Sequence, residues 1–312
     1  MATAALHPEV EPLRDLLVIP DMNAEVVPVM RSTPLVEPHE PSDGVSRTDH
    51  VVDEATGVFV RVHRPAGADG PLPCLYHMHG GGYLIGSVDF DDARLDQWVS
   101  TLGIVAVSVE YRLAPEHPFP TPLEDCYAGL QWVAANAGEL GIDADKIGIG
   151  GVSAGGGLCA ALALLIRDRG ELQARFQLLD CPMIDDRQRS PSSQLDDLLI
   201  WSKASNAYGW QSYLGGLYGT EDVPAIAAPA RASEADLVGL PPALVSVGGA
   251  DGFRDEDIAY AQALSRAGVP TDLHVHAGMP HGVVAGFGFT GPGQRYAADQ
   301  DEFLRTQLAL LG

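Results

Sequence analysis

The sequence predicts an α/β fold with a mostly parallel, doubly wound sheet and a helical cap. From residue 74 onwards, short continuous apolar runs alternate with longer helix-prone stretches. Such runs are typical of strands that are buried on both faces, because helices cover each side of the sheet. Residues 186–239 break this alternation, since they have helical patches and aromatic side chains but no clear strand. An insertion after the carboxyl end of a strand lies over the crevice where α/β proteins bind ligands, so we predict a cap there.

The elements are predicted in the order in which they occur. Residues 1–45 are rich in proline and acidic groups, contain one short helix near 13–17, and are predicted to form an N-terminal cap segment. Two antiparallel strands at 48–52 and 57–62 begin the main domain. Later strands are predicted at 74–78, 104–109, 146–150, 176–179, 243–247 and 273–275. Helices are predicted near 91–102, 122–137, 158–165, 195–200, 207–218, 254–267 and 294–311.

Composition limits the kinds of partner. The chain of 312 residues has 42 acidic and 19 basic side chains, and its formal net charge is −23. Such a surface repels phosphate backbones, which excludes nucleic acid and favours small neutral or cationic partners. The N-terminus lacks the basic start and apolar core of a signal peptide, and no run approaches the ~18 apolar residues of a membrane helix. Most of the four cysteines lie in or beside apolar runs, and we expect the thiols to be buried and reduced. We therefore expect a cytoplasmic protein with no membrane span.

The most informative motif is Gly-Val-Ser-Ala-Gly at residues 151–155. An apolar run at 146–150 precedes it and a helix-prone run at 158–165 follows it, which is the strand–turn–helix context of a nucleophile elbow. On such a turn the serine hydroxyl projects beyond the end of the sheet, and the glycines let strand and helix approach closely. The alternative is a glycine-rich turn whose serine only caps the helix. Ser153 is the candidate nucleophile.

A second glycine-rich motif, His-Gly-Gly-Gly at residues 79–82, follows the strand predicted at 74–78. Such a loop exposes backbone N–H groups that no side chain obstructs, and with the N–H after the nucleophile it can bind an oxyanion. A phosphate-binding loop is the alternative, but the Lys-Ser/Thr pair that closes a P-loop is missing. The candidate donors are Gly80, Gly81, Gly82 and Ala154.

Among the ten histidines, His281 is the candidate base. It stands in a loop just after the last predicted strand, where the chain order Ser, Asp, His places it. Asp251 is the candidate acid because it follows the strand at 243–247. Asp255 is the runner-up, since acidic residues at the start of a helix often serve as caps. Packing, surface or orienting roles are assigned to His77, His79, His117, His274 and His276, the last two of which share one face of the last strand.

Together these motifs resemble the bacterial hormone-sensitive-lipase-like esterases, and the likeness extends from about residue 57 to the C-terminus. The motifs that stand in the order of this family are His-Gly-Gly-Gly at 79–82, Tyr-Arg-Leu-Ala-Pro-Glu at 111–116, Gly-Val-Ser-Ala-Gly-Gly at 151–156, Asp-Gly-Phe-Arg-Asp-Glu at 251–256 and Pro-His-Gly at 280–282. Residues 182–187 and 208–213 are similar to the subset that contains heroin esterase. The family usually has Asp or Thr where this chain has Val152, which leaves open how that position affects local support or selectivity.

The resemblance implies an α/β-hydrolase catalytic domain at residues 46–312, with the cap insertion at about 186–239. It implies a serine carboxylesterase that cleaves short-chain acyl esters through an acyl-enzyme, with no metal or cofactor. Ser153 would attack, His281 would take its proton, and Asp251 would orient the imidazole. Two alternatives are an amidase or other acyl hydrolase on the same triad, and a non-catalytic ligand receptor, against which the presence of His281 argues. Family members often pair through the edge near the last strand, so residues 271–277 are the candidate surface of a homodimer.

Overall fold

A single mixed sheet organises the part of the chain that the computed structural model describes, residues 3–282 and 287–310. Its strands are β1 (Val45–Asp53), β2 (Val58–Pro65), β3 (Leu72–Met78), β4 (Val105–Glu110), β5 (Ile142–Val152), β6 (Gln177–Asp180), β7 (Ala243–Gly248) and β8 (Thr271–His276). Their order across the sheet is β1-β2-β4-β3-β5-β6-β7-β8. The pairs β1/β2 and β2/β4 are antiparallel, and all the other neighbours are parallel.

Helices follow most of the parallel strands. They are α1 (Val26–Ser32), α2 (Asp92–Leu102), α3 (Thr121–Ala135), α4 (Ala137–Leu140), α5 (Ala154–Arg169), α6 (Lys203–Leu214), α7 (Glu234–Leu237), α8 (Arg254–Arg266) and α9 (Gly291–Leu310). Short 3-10 helices lie at Glu11–Leu17, Val88–Phe90, Ser192–Gln194, Gly215–Leu217 and Pro229–Arg231. None of the described helices is long and apolar enough to span a membrane.

Two hydrophobic cores lie on opposite faces of the sheet. Tyr76 of β3 belongs to the larger core, which includes side chains of α3, α5 and α8. Its neighbour Leu75 belongs to the other core, with Trp98 of α2 and Phe303 of α9. Successive strand residues point to opposite faces, so one apolar run feeds both cores. The doubly wound α/β fold predicted from these runs is confirmed.

Some helices differ from those predicted from the sequence. The helix predicted at 195–200 is wrong, since these residues form bends with buried leucines. The carboxylate of Asp197 accepts the N–H of Ala4 at 2.8 Å, and Ile200, with φ of 67°, donates its N–H to Leu17 at 2.9 Å. The segment is therefore held by the N-terminal residues instead of by its own helical turns. The next helix, predicted at 207–218, begins earlier as α6, and α1 was not predicted.

The N-terminal segment and the insertion contact one another. The N–H of Met22 donates to Oγ of Ser205 at 3.0 Å, and Oγ of Ser202 donates to the carboxylate of Asp21 at 2.5 Å. Residues 186–239 contain α6, α7 and three 3-10 helices, and no strand of the sheet. The four cysteines are all buried and free, as predicted; they are Cys74, Cys126, Cys159 and Cys181.

Candidate active site

Ser153 stands on a sharp turn between β5 and α5. Its backbone has φ of 57° and ψ of −119°, a conformation that residues other than glycine rarely adopt. Two backbone hydrogen bonds hold it there. The N–H of Ser153 donates to the backbone carbonyl oxygen of Asp180 at 2.8 Å, and the carbonyl oxygen of Ser153 accepts the N–H of Met183 at 2.9 Å. A β-carbon on Gly155 would lie 2.0 Å from the carbonyl oxygen of Met78, so only glycine lets the helix approach the sheet this closely. The turn has the geometry of a nucleophile elbow.

Ser153, His281 and Asp251 form a continuous hydrogen-bond chain. Nε2 of His281 lies 2.8 Å from Oγ of Ser153, and Nδ1 lies 2.7 Å from Oδ2 of Asp251. The other carboxylate oxygen of Asp251 accepts the N–H of Phe253 at 2.9 Å. Since a carboxylate only accepts, Nδ1 carries the hydrogen and Nε2 is free to accept the serine proton. The three side chains are nearly buried, with residue exposures of 6% for Ser153, 5% for His281 and 2% for Asp251.

The runner-up acid, Asp255, lies in another set of contacts. One of its carboxylate oxygens accepts the N–H of Ser192 at 2.8 Å, and the other accepts from Nε of Arg254 at 2.8 Å. The N–H of Asp255 in turn donates to Oγ of Ser192 at 3.0 Å. Asp255 therefore ties the start of α8 to the insertion, whereas Asp251 contacts the imidazole of His281.

The glycine-rich loop lies directly against the serine. A β-carbon on Gly80 would lie 3.3 Å from Cβ of Ser153 and 3.3 Å from Cγ1 of Val152. The apolar side chain of Val152 therefore lies against this loop. Gly81 has φ of +117°, and a β-carbon there would lie 2.0 Å from the carbonyl oxygen of Ile85. Within the described residues, no acceptor receives the N–H groups of Gly80, Gly81, Gly82 or Ala154.

His79 and Tyr111 brace this loop from below. Nδ1 of His79 donates to the carbonyl oxygen of Gly80 at 2.8 Å, and the Tyr111 hydroxyl donates to the carbonyl oxygen of His79 at 2.8 Å. The two rings stack, with centroids 4.2 Å apart. Burial lowers the pKa of His79 to about 4, so the ring is neutral at pH 7. This is the orienting role predicted for His79. No role was predicted for Tyr111, although it lies in the Tyr-Arg-Leu-Ala-Pro-Glu motif.

Two further supports of the loop were not predicted. Tyr83 has φ of 64°, donates its hydroxyl to the carbonyl oxygen of Met183 at 3.1 Å, and stacks on Tyr213 with centroids 4.0 Å apart. Arg31 of α1 donates from Nε to the carbonyl oxygen of Leu84 at 2.7 Å and from a terminal nitrogen to that of Ala114 at 2.7 Å. Tyr83 adjoins the glycine motif, which is a usable signal, but no pattern in the sequence marks Arg31.

Glu256 supports the segment after β6. One of its oxygens accepts the N–H of Ile184 at 3.2 Å and that of Asp185 at 3.1 Å. Burial, reinforced by the charge of Asp185, raises the pKa of Glu256 well above its usual value. Its neighbour Asp257 is fully buried, and burial raises the pKa of that carboxyl as well. Glu256 lies in the Asp-Gly-Phe-Arg-Asp-Glu motif, but no role was predicted for it.

The remaining histidines are placed away from the hydrogen-bond chain. His77 is buried 3.5 Å from a carboxylate oxygen of Asp91, and burial lowers its pKa to about 3, in line with the packing role predicted for it. His117 is half-buried in the loop after β4. His274 and His276 lie on β8, on the face that contacts α9.

One set of potential metal ligands overlaps the hydrogen-bond chain. Atoms of Cys181, Asp251 and His281 lie within 4.8 Å of one another. However, Asp251 and His281 already bond to each other, and burial raises the pKa of the Cys181 thiol well above its usual value. A thiol must lose its proton to ligate a metal strongly, so this arrangement favours proton transfer over metal binding.

Comparisons with known proteins agree with this geometry. A family model described as alpha/beta hydrolase fold matches residues 75–285. Two proteins of Mycobacterium tuberculosis are similar to this chain. Esterase LipI is 37% identical over 214 residues, which cover 68% of this chain and 66% of LipI. Carboxylesterase NlhH is 38% identical over 237 residues, which cover 74% of this chain and 73% of NlhH. The solved structure of Bacterial Heroin Esterase superposes with a TM-score of 0.87 at 35% identity, covering 97% of this chain and 98% of that one. The chain thus covers just under two thirds of LipI.

Proposed function

Since this chain belongs to the α/β-hydrolase family of hormone-sensitive-lipase-like serine carboxylesterases, we propose that it hydrolyses short-chain acyl esters through an acyl-enzyme on Ser153. The observation that carries this proposal is the continuous hydrogen-bond chain from Ser153 through His281 to Asp251. Such a chain lets a serine hydroxyl lose its proton to an imidazole as it attacks a carbonyl carbon.

In the first half of the reaction, Oγ of Ser153 attacks the ester carbonyl and Nε2 of His281 takes the hydroxyl proton. Asp251 holds Nδ1–H and stabilises the imidazolium that forms. The carbonyl oxygen gains negative charge, and we assign the N–H groups of Gly80, Gly81, Gly82 and Ala154 as its donors. Their lack of acceptors among the described residues supports this assignment.

In the second half, the imidazolium protonates the leaving alcohol and an acyl-Ser153 ester remains. A water molecule then gives a proton to Nε2 of His281 and attacks the acyl carbon. The second tetrahedral intermediate collapses, the acid leaves, and Oγ of Ser153 recovers its proton. The residues named here complete the cycle with no metal or cofactor.

We propose a neutral or cationic ester with a small acyl group as the substrate. The formal net charge of −23 disfavours anions and attracts cations. Bacterial Heroin Esterase is similar in structure, and its name says that it acts on an ester. The indole of Trp201 also crowds the loop beside the serine, because a β-carbon on Gly82 would lie 2.0 Å from its Cη2. The bulky indole of Trp201 limits the space beside this loop, which favours short acyl chains.

We assign residues 1–45 and about 186–239 to the cap, and 46–312 otherwise to the catalytic domain. The bonds of Met22 to Ser205 and of Asp21 to Ser202 support joining the two cap segments. We also propose a cytoplasmic location, which the four free, buried cysteines favour. A homodimer through residues 271–277 is proposed because the edge strand β8 exposes Leu273 and Val275.

The function is tested with p-nitrophenyl esters from acetate to decanoate and with p-nitroacetanilide. We expect kcat/KM to be highest for the acetate to butyrate esters and to fall with chain length. Hydrolysis of the anilide at a rate comparable to that of the acetate would make the protein an amidase, and turnover of none of these compounds would make it a receptor. A Trp201→Ala variant should move the preference towards longer acyl chains, because the wall beside Gly82 is removed.

A further inference from the structure

A cluster of metal-binding side chains lies on the edge strand β8 and on α9. His274 and His276 are two residues apart, so both imidazoles project from the same face of the strand. Nδ1 of His274 lies 2.9 Å from Oδ2 of Asp299, and Nε2 of His276 lies 3.5 Å from the same oxygen. One ligand atom from each residue falls within 4.8 Å of the other two. Three side chains from two elements therefore converge on one point.

One buried nitrogen in this cluster has no hydrogen-bond partner among the described residues. That atom is Nε2 of His276. A buried polar atom without a partner is costly, and it calls for a ligand. The ring of His276 is fixed against Tyr296, with centroids 4.3 Å apart, so Nε2 faces Asp299 in a set direction.

We propose that His274, His276 and Asp299 bind one Zn²⁺ ion per chain, with water as the fourth ligand. Imidazole nitrogen and carboxylate oxygen are ordinary zinc ligands, at ~2.0–2.2 Å from the metal. In a tetrahedron these bond lengths place ligand atoms ~3.3 Å apart, which the 2.9 and 3.5 Å separations bracket. Two imidazoles also select against Ca²⁺ and Mg²⁺, which prefer oxygen ligands.

The surrounding charges favour a cation on balance. Asp272 lies two residues before His274 and so shares its face of β8. The chain as a whole has a formal net charge of −23. Arg295 opposes binding, because it places a positive charge near His276. All three protein ligands are partly accessible to solvent, which leaves an entry path for the ion.

The bound ion stabilises the fold and lies apart from the ester chemistry. An ion held by β8 and α9 would join the edge strand to the C-terminal helix. The carbonyl of His276 accepts the N–H groups of Gly249 at 2.8 Å and Met279 at 3.1 Å, so the same residue anchors the turn that leads to His281. Zinc should therefore raise the thermal stability of the protein and reduce motion in this turn.

The test uses the full chain after removal of metals. Zinc is titrated by calorimetry, and the bound metal is counted after desalting. We expect one ion per chain, a Tm raised by several degrees, and for Co²⁺ the strong visible absorption of a tetrahedral site. His276→Ala and Asp299→Ala should each weaken binding at least tenfold and abolish the Tm shift. His50→Ala, which removes a partly exposed histidine from the opposite edge strand β1, should change none of these values.

Esterase activity and circular dichroism of each variant report whether it has folded. No bound zinc in the folded wild-type protein would overturn the proposal. Undiminished zinc binding by the folded His276→Ala and Asp299→Ala variants would also overturn it. If the zinc bound to these variants inhibited their esterase activity, the ion would lie at the cluster of Cys181, Asp251 and His281. Half an ion per chain would contradict a site within one chain.

Discussion

Nε2 of His281 lies 2.8 Å from Oγ of Ser153, although 128 residues separate them in the chain. The contact forms because parallel strands end at the same edge of a sheet. Ser153 follows β5, Asp251 follows β7, and His281 comes from the segment after β8. Three strand ends thus deliver the nucleophile, acid and base of the proposed reaction to one place, which is the general location of ligand sites in α/β folds.

Exchanging the two candidate acids for their amides separates their roles. Asp251→Asn should lower kcat by ~10³–10⁴-fold, because an amide no longer fixes the imidazole tautomer that accepts the serine proton. Asp255→Asn should change kcat less than tenfold and lower Tm instead, since its carboxylate bonds Ser192 and Arg254. Steady-state kinetics with p-nitrophenyl acetate gives both values. The reverse order of the two kcat effects would move the acid to Asp255.

A methyl group on the glycine loop should disrupt oxyanion binding more than folding. In Gly81→Ala the new β-carbon would meet the carbonyl oxygen of Ile85, and the φ of +117° would be strained. The loop must shift, and the loss of one oxyanion donor lowers kcat by ~10²–10³-fold. Gly138→Ala is the matched control, because a β-carbon there meets nothing within 4 Å. Equal kcat values for the two variants, measured with Tm as the check on folding, would remove Gly81 from the site.

Arg31 should couple the N-terminal segment to the glycine loop. Arg31→Ala removes its hydrogen bonds to the carbonyl groups of Leu84 and Ala114, which we expect to destabilise the protein by ~1–3 kcal/mol. Hydrogen exchange at residues 80–86 should accelerate. Arg14→Ala, which cuts the pairing of Arg14 with Asp197, should leave this exchange unchanged. If both variants gave the same exchange pattern, the Arg31 contacts would have no effect on the loop.

The largely buried carboxyl of Asp91 should make stability depend on pH. Burial raises its pKa to about 7 from an ordinary value of 3.8. Between about pH 4 and 7 the folded state therefore holds a proton that the unfolded state has lost, and the free energy of unfolding should fall as the pH rises. Asp91→Asn should remove up to ~1.4 kcal/mol per pH unit of this slope.

Urea unfolding at a series of pH values measures that slope. Glu110→Gln is the companion variant, because burial also raises the pKa of Glu110 to about 7, and it should flatten the profile in the same sense. A wild-type slope in Asp91→Asn would mean that the carboxyl is already ionised in the folded protein at these pH values.

Patterns in the sequence were enough to predict most strands and the candidate triad. The apolar runs define strands buried on both faces, and Gly155 and Gly81 reveal where backbones must approach closely. The motif order then predicted Asp251 after the strand at 243–247 and His281 after the last strand. The strand and glycine signals are local, whereas the assignment of Asp251 and His281 also depends on the order of the motifs along the chain.

Features that depend on distant contacts were not predictable in this way. Residues 195–200 have a helical pattern, but Ile200 and Asp197 bond to the N-terminal segment instead. Arg31 acts on carbonyl groups of Leu84 and Ala114, which no spacing in the sequence indicates. The approach of Asp299 to His274 and His276 was likewise not predictable, because Asp299 lies on another element of the chain.

Covalent labelling of Ser153 gives the sharpest test of its role as the nucleophile. Wild-type protein and Ser153→Ala are treated with a fluorophosphonate, and the adduct is located by mass spectrometry of the peptides. We predict one adduct on Ser153 in the wild type, none in the variant, and a loss of ester hydrolysis of at least ~10⁴-fold in the variant at an unchanged Tm. Adduct formation at another residue, or wild-type hydrolysis by Ser153→Ala, would contradict the assignment of Ser153 as the nucleophile.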